Sequence, residues 1–151
     1  MSTITPPLAQ LLGQTEKSLN ALLDRLLDGS ISEPEWVTLV LLAGSEGPAD
    51  RDQLIGRTAA ALKTDPATAA DHVARLTAKG LVDAVAGTAS ALGLTEAGQK
   101  FLGRVRRQVA GTAERLWGDL PAADLDTTGQ VLGTILERAE TELRSARQPR
   151  S

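Results

Sequence analysis

Residues 50–98 constrain the fold of this chain more than any other stretch, because several signals for the start and end of helices lie close together there. Asp50 precedes a helical pattern that runs to Leu62, and a second helical pattern begins at Pro66 and ends at Gly80. An Asp before a helix accepts hydrogen bonds from its free N–H groups, proline fits the first turn, and glycine commonly follows the last turn. Only three residues separate the two patterns, so the sequence predicts two helices joined by a tight turn.

A β-hairpin and a third helix follow this pair of helices. Residues 81–85 and 91–94 are short extended runs on either side of the turn sequence Gly87-Thr88-Ala89-Ser90, and Thr95 is placed to cap a new helix. Helix, tight turn, helix and hairpin, in this order, is the layout of a winged helix-turn-helix. That module is built to place its second helix in a DNA groove.

The composition predicts a mainly α fold. The chain has 151 residues, which fits a single domain over residues 1–151, and 42% of them are hydrophobic while only 2% are aromatic. The core must therefore consist of Leu, Val, Ile and Ala, and two of these, Ala and Leu, favour helices most. We assign residues 33–98 to the winged helix-turn-helix, with a capping box at Ser32 and Glu35 opening its first helix.

Several classes of function are excluded by what the sequence lacks. Without cysteine there is no disulfide or thiol chemistry, and a single histidine, His72, rules out a multi-histidine metal site within one chain. There is no glycine-rich phosphate loop and no Ser-His-Asp set, so we predict a protein that is not an enzyme and has no cofactor or metal. No apolar run is long enough to span a membrane and no signal peptide opens the chain, which by elimination predicts a cytoplasmic protein with no membrane partner.

Long amphipathic helices are predicted at both ends of the chain, over residues 6–28 and 99–146. Their apolar faces are larger than a small central module can cover, and a twofold homodimer is the commonest way to bury such faces. The alternative is that the end helices pack on each other within one chain. The interface residues predicted for a dimer are Leu8, Leu12, Leu19, Leu132, Ile135 and Leu143.

Two runs carry a resemblance to a known family. The run Ala74-Arg75-Leu76-Thr77-Ala78-Lys79-Gly80-Leu81-Val82 and the run Leu94-Thr95-Glu96-Ala97-Gly98, in this order and spacing, resemble the MarR family of bacterial transcriptional regulators. The resemblance implies a homodimer whose terminal helices pair and which binds a palindromic operator in double-stranded DNA, here as a repressor. It also implies that a small aromatic acid or another effector can bind between the winged helix-turn-helix and the terminal helices that form the dimer.

Candidate DNA-binding residues lie on and beside the second helix of the module. The cations Arg51, Arg57 and Lys63 are placed to bind phosphates, although ordinary surface charge is an equal alternative. Arg75 and Lys79 lie near a helix C-terminus, where pairing with the helix dipole or with an acid is the alternative to a phosphate contact. The full set of predicted DNA contacts is Arg51, Arg57, Lys63, Thr64, Thr68, Asp71, Arg75 and Lys79.

The predicted reading surface is unusual for DNA. The outward face of the second helix carries Ala67, Ala70, Asp71, Ala74 and Ala78, where hydrogen-bonding side chains are expected. The hairpin, over residues 85–94, has no Arg, Lys or Asp, although the resemblance implies an Asp and Arg pair there. Residues 46–107 hold nine Lys and Arg against seven Asp and Glu, a net charge of only +2. The sequence therefore also supports an alternative function, a dimer with weak or lost DNA binding that binds a ligand or a protein.

Effector-binding candidates are Trp36, Arg104 and Trp117. Aromatic rings can line a cavity for a small aromatic molecule, and Arg104 can meet an effector carboxylate. The favoured alternatives are that the two tryptophans fill the core or an interface, and that Arg104 is a surface residue. We expect His72 to be a packed histidine whose hydrogen bonds are satisfied, because that is the commoner role of a lone helix histidine.

Overall fold

The computed structural model describes residues 7–87 and 90–147, in which helices dominate and one small sheet is present. The mainly α winged helix-turn-helix fold is confirmed. The predicted wing tip includes Thr88 and Ala89, and the predicted first helix begins at Pro6; these three residues lie outside the described ranges. In chain order the elements are α1 (Leu8–Leu27), α2 (Glu33–Ala43), β1 (Ala49–Asp50), α3 (Arg51–Leu62), α4 (Pro66–Ala78), β2 (Val82–Ala84), β3 (Ala91–Leu94), α5 (Glu96–Trp117) and α6 (Ala122–Arg147).

The helices of the module begin where the capping residues predict. In α2 the backbone N–H of Glu35 donates to the Ser32 hydroxyl at 3.3 Å, and the backbone N–H of Ser32 donates to the Glu35 carboxylate at 3.4 Å. This is the reciprocal capping box. Asp50 and Asp65 are the N-caps of α3 and α4, and each carboxylate accepts from the backbone N–H three residues on, at 3.1 Å and 2.7 Å.

The chain turns sharply where α4 ends and the hairpin begins. Gly80 has a φ of +77°, the left-handed conformation that favours glycine. The Thr95 hydroxyl donates to the Gly80 carbonyl at 2.6 Å and accepts from the backbone N–H of Gly98 at 2.9 Å, so it joins this turn to the start of α5. A Cβ at Gly98 would collide with the carbonyl oxygen of Leu81. Gly98 is therefore what allows α5 to lie directly against this turn.

The sheet has one strand more than the sequence predicts. The strand order is β1-β3-β2, all antiparallel, with Ala49 opposite Leu92 and Val82 opposite Leu94. Strand β1 has two residues, which are too few to show an alternation of apolar and polar side chains. It forms only because the hairpin supplies backbone groups for it to pair with.

The core of the module is mostly aliphatic, as the composition predicts, with Trp36 and Phe101 as its aromatic members. Leu39, Leu54, Leu76, Val82 and Val105 are almost fully buried. Helix α4 contributes Ala69, Val73 and Leu76 to this core. Because one side of α4 is fixed in the core, its opposite side is presented outward.

The chain forms two compact units, the first ending at Ala110 and the second beginning at Gly111 within α5. The first unit contains α1 and the whole module, and the second contains α6. Among the described residues no helix is long and apolar enough to cross a membrane. Large apolar side chains are nevertheless exposed at the ends of the chain, on α1 and on α6. They include Leu8, Leu11 and Leu19 in the first unit and Val131, Leu132, Leu136 and Leu143 in the second.

Candidate nucleic-acid interface

Helix α4 presents a face of short side chains on the side opposite its buried residues. Ala67, Asp71, Ala74 and Ala78 are exposed there. Ala70 was predicted to belong to this face, but it is half-buried and packs against the core. The physical reason is the helical period: Ala70 is one residue after the buried Ala69 and so is rotated from it by about 100°. The exposed face is therefore narrower than the sequence predicts.

The start of α4 is organised by Asp65. Its carboxylate accepts from the backbone N–H of Thr68 at 2.7 Å and from the Thr68 hydroxyl at 3.1 Å. The backbone hydrogen bond and then the hydroxyl hydrogen bond hold the pKa of Asp65 below its ordinary value. The hydroxyl hydrogen of Thr68 is thus directed at Asp65. Thr64 is half-buried, and its backbone N–H donates to the Ala59 carbonyl at 3.0 Å in the turn between α3 and α4.

The predicted phosphate-binding cations differ in how they are used within the chain. Arg51 and Arg75 are exposed, and their side chains make no hydrogen bond or ion pair within residues 7–87 and 90–147. The Arg57 guanidinium donates to the Ser45 hydroxyl at 3.1 Å. The Lys63 ammonium donates to the Ala60 carbonyl at 2.9 Å, at the end of α3. Of these four cations, Arg51 and Arg75 can meet a phosphate or a base without breaking a contact.

Lys79 is part of an ion pair inside the protein. Its ammonium lies 2.9 Å from the Glu35 carboxylate, whose side chain is only 3% exposed, whereas the Lys79 side chain is 40% exposed. The pair joins the C-terminal end of α4 to the N-terminal end of α2. A buried carboxylate needs such a partner, because an unpaired charge in the interior is costly. The geometry therefore favours the acid-pairing alternative for Lys79 over a phosphate contact.

His72 is packed as predicted, but its hydrogen bonds are not all satisfied. Its Nδ1 is buried and has no hydrogen-bond partner within the described part of the chain, which corrects the expectation of a satisfied histidine. The nearby Glu33 has a raised pKa, first because it is partly buried and then because of the negative charges of Asp24 and Glu16, while His72 opposes this shift. No part of this environment was visible in the sequence, since it joins residues of α1, α2 and α4.

The wing is tied to the start of α3 by Ser90, a residue that the sequence did not single out. Its hydroxyl donates to the Asp50 carboxylate at 3.1 Å, and its carbonyl accepts from the backbone N–H of Arg51 at 2.8 Å. Asp50 thus caps α3 and holds the wing at the same time. Arg51 is the cation nearest in sequence to this contact, and the hairpin itself has none.

The three effector candidates lie in different environments. Trp36 is buried in the hydrophobic core of the first unit. The Arg104 guanidinium lies 5.4 Å from the centroid of the Phe101 ring, within the range of a cation–π contact. Trp117 is 42% exposed and belongs to the second unit. Within the described ranges, no group of three or more histidine or acidic side chains is arranged to hold a metal ion.

Comparison with known proteins gives a clear result for the fold. No protein-family profile matches the sequence, and no curated protein sequence matches it. Among solved structures, a MarR protein from Peptoclostridium difficile is similar at a TM-score of 0.77 and 13% identity, over 97% of this chain and 96% of that one. The chain has the MarR fold. CouR from Rhodococcus jostii, solved bound to p-coumaroyl-CoA, is similar at a TM-score of 0.73 and 16% identity, over 89% and 95% of the two chains.

A third neighbour has a higher identity. The transcriptional regulator PA3341 is 26% identical, with a TM-score of 0.72, over 89% of this chain and 98% of its own. These neighbours match nearly from end to end, so the MarR fold includes α1, α5 and α6 as well as the central module. None of the three is named as an enzyme. In a MarR fold α4 is the recognition helix of the helix-turn-helix, and its exposed face is the candidate interface.

Proposed function

We propose that this chain is a dimeric DNA-binding transcriptional regulator, a repressor that acts by occupying a palindromic operator. The observation that carries this proposal is the exposure of the α4 face opposite Ala69, Val73 and Leu76. A helix that enters a major groove must be anchored on one side and free on the other, and α4 has this arrangement. A regulator of this kind would act in the cytoplasm.

The exposed apolar side chains at the two ends of the chain support the dimer. Leu8 and Leu19 on α1 and Leu132 and Leu143 on α6 are exposed, and Leu12 and Ile135 are half-buried. Such faces are stabilised when a second copy covers them.

In a twofold dimer the two α4 helices would enter successive major grooves about 34 Å apart. Arg51, Arg57 and Lys63 would then lie beside the phosphates, and Arg75 would lie at the groove.

A response to an effector is the next part of the proposal. The neighbour CouR was solved with p-coumaroyl-CoA, an aromatic thioester, which supports a small aromatic effector for this chain. Trp36, Arg104 and Trp117 are each proposed as effector contacts; Arg104 and Trp117 are exposed, and Trp36 is buried. Titration of the purified chain with aromatic acids and their coenzyme A thioesters, followed by tryptophan fluorescence, measures this directly.

DNA binding is tested by a fluorescence anisotropy titration with the DNA upstream of the chain's own gene. We expect binding that weakens steeply between about 50 and 200 mM salt, because released counterions supply most of the affinity. Arg75→Ala should weaken binding, whereas Arg138→Ala, an exposed arginine on α6, serves as the control. If no salt-sensitive binding is found even at low ionic strength, the regulator proposal is wrong.

A second function is favoured by the chemistry of the same face. Alanines surround a single carboxylate on α4, the hairpin has no cation, and Lys79 is paired with Glu35. These features support a dimer with weak or lost DNA binding that recognises a ligand or another protein. A stable dimer that binds no DNA at low salt would establish this alternative. Asp71→Arg should strengthen non-specific DNA binding if α4 faces the groove.

A further inference from the structure

The exposed face of α4 carries two charged side chains that have no partner within residues 7–87 and 90–147. Asp71 and Arg75 are both exposed, and neither makes a hydrogen bond or ion pair within the described ranges. They are separated by four residues, a spacing at which an Asp and an Arg often pair on a helix. Here they do not pair, so both remain available to a ligand that enters from the outside.

The residues around this pair let a ligand come close. Ala67, Ala74 and Ala78 surround Asp71 on the exposed face, and none of their side chains extends beyond a methyl group. A short carboxylate such as that of Asp71 can reach a base edge only if the helix backbone lies deep in the groove. Long neighbouring side chains would prevent that approach, whereas alanines allow it. The alanine face thus has a positive role, because it brings Asp71 within reach.

A carboxylate in the major groove needs a hydrogen-bond donor. The groove offers donors at the N4 amine of cytosine and the N6 amine of adenine, and adenine also presents the N7 acceptor beside its amine, which repels a carboxylate. Cytosine is therefore the base that suits Asp71. The guanidinium of Arg75 suits the O6 and N7 acceptors of guanine, and the alanine methyls suit the methyl group of thymine.

We propose that Asp71 and Arg75 are the specificity-determining residues of this chain, reading a cytosine and a nearby guanine in each half-site. This inference rests on the proposed DNA-binding function and adds the base preference to it. Residues four apart on a helix are separated by about 6 Å along its axis, which spans about two base-pair steps. The guanine therefore lies within about two steps of the cytosine, and thymines occupy the positions opposite the alanines.

Selection of bound sequences from a randomised double-stranded DNA library tests the proposal, using the full chain and the variant Asp71→Asn. The two side chains have nearly the same shape, but Asn presents both a donor and an acceptor and so prefers adenine. We expect the wild-type chain to enrich cytosine at one position of each half-site, and Asp71→Asn to enrich adenine at that position. Replacing this cytosine in the selected site should weaken wild-type binding about tenfold.

The control variant is Asp52→Asn, which removes an exposed carboxylate from α3 and should leave the selected sequence unchanged. Enrichment of a site without that cytosine, or an identical site for Asp71→Asn, would overturn the base assignment while leaving DNA binding in place. If the wild-type chain enriches no sequence but binds all DNA in a salt-dependent way, the base assignment is also wrong. Absence of any binding removes the proposed function together with this inference.

Discussion

Lys79 shows at the residue scale how a cation near a recognition helix can be used inside the protein. Its partner Glu35 also accepts the N–H of Ser32, so one buried carboxylate caps α2 and holds the end of α4. By contrast, the ion pair between Lys100 and Glu96, along α5, has side chains that are 77% and 83% exposed. Burial, and not the pairing distance, makes the two pairs different in energy.

Removing Lys79 should therefore leave the buried Glu35 carboxylate without its cationic partner. We expect Lys79→Met to lower the free energy of unfolding by about 2 kcal/mol. Glu35→Gln should cost less, and the double variant should be more stable than the sum of the two single effects predicts. Urea denaturation of the four proteins measures this coupling. Lys100→Met is the matched control and should change stability by less than about 0.5 kcal/mol; strictly additive effects of Lys79 and Glu35 would contradict the buried pair.

Gly98 gives a second prediction at the residue scale. A methyl group at this position would collide with the Leu81 carbonyl oxygen, which belongs to the backbone and cannot move away easily. We expect Gly98→Ala to destabilise the protein by about 2 kcal/mol or more. Gly56→Ala, within α3 and with nothing within 4 Å of the added methyl, should instead stabilise it by about 0.5–1 kcal/mol. Thermal unfolding of the two variants measures this difference. Equal effects of Gly98→Ala and Gly56→Ala on stability would contradict the close approach of Gly98 to the Leu81 carbonyl.

Helix α4 carries the face proposed to bind DNA, and the structure holds it at several points. Its first turn is fixed by Asp65 and Thr68, its middle by the buried Val73, and its last turn by Lys79. The helix is thus held at both ends as well as along its inner side. An interface residue such as Asp71 can then be changed without changing where the helix lies.

The cap at the start of α4 should be sensitive to pH. Since hydrogen bonds from Thr68 lower the pKa of Asp65 in the folded chain, its contribution to stability is present above the ordinary pKa of 3.8 and is lost as the pH falls through the lower folded value. We expect Asp65→Ala to destabilise the protein at pH 7, with a difference from the wild type that shrinks towards pH 3. Thermal unfolding followed by circular dichroism across this range measures it.

The control for this experiment is Asp71→Ala in the same helix, because Asp71 is exposed and makes no hydrogen bond within the described ranges. It should change stability little at any pH. A constant difference between Asp65→Ala and the wild type from pH 7 to pH 3 would show that the ionised carboxylate is not what caps α4.

At the scale of the whole molecule, large apolar side chains are exposed on both terminal helices, α1 and α6. Leu136 on α6 has the largest exposed fraction of these side chains, 57%. If a second copy covers α6, Leu136→Glu places a charge in each half of the interface. We expect the dimer dissociation constant to rise by on the order of a thousandfold, since each half loses about 2 kcal/mol.

At micromolar concentration the variant should therefore have half the molecular mass of the wild-type dimer, as measured by sedimentation or light scattering. Gln130→Glu introduces the same charge at an exposed polar position of α6 and should leave the mass unchanged. A wild-type chain that is already monomeric, or a Leu136→Glu variant that stays dimeric, would contradict the proposed role of α6.

The local signals in the sequence determined where the elements begin and end. Asp50 and Thr95 cap helices in the structure as predicted, and Gly80 adopts the left-handed conformation after α4. Asp65, in the predicted turn, caps α4 as well. These features depend on residues a few positions apart, so the sequence contains all the information they need. The periodicity of α4 likewise separated its buried side from its exposed side.

Only the tertiary structure decided which charged and polar groups are paired. Lys79 meets Glu35 across 44 positions of sequence, Ser90 meets Asp50 across 40, and β1 exists because β3 pairs with it. The buried Nδ1 of His72 has no hydrogen-bond partner among the described residues, and this too depends on how distant elements pack. A periodic pattern shows which way a side chain points but not what lies opposite it, because that depends on how distant elements pack. The sequence therefore determined the helices, turn and hairpin, while the packing decided which charged residues remain unpaired at the surface.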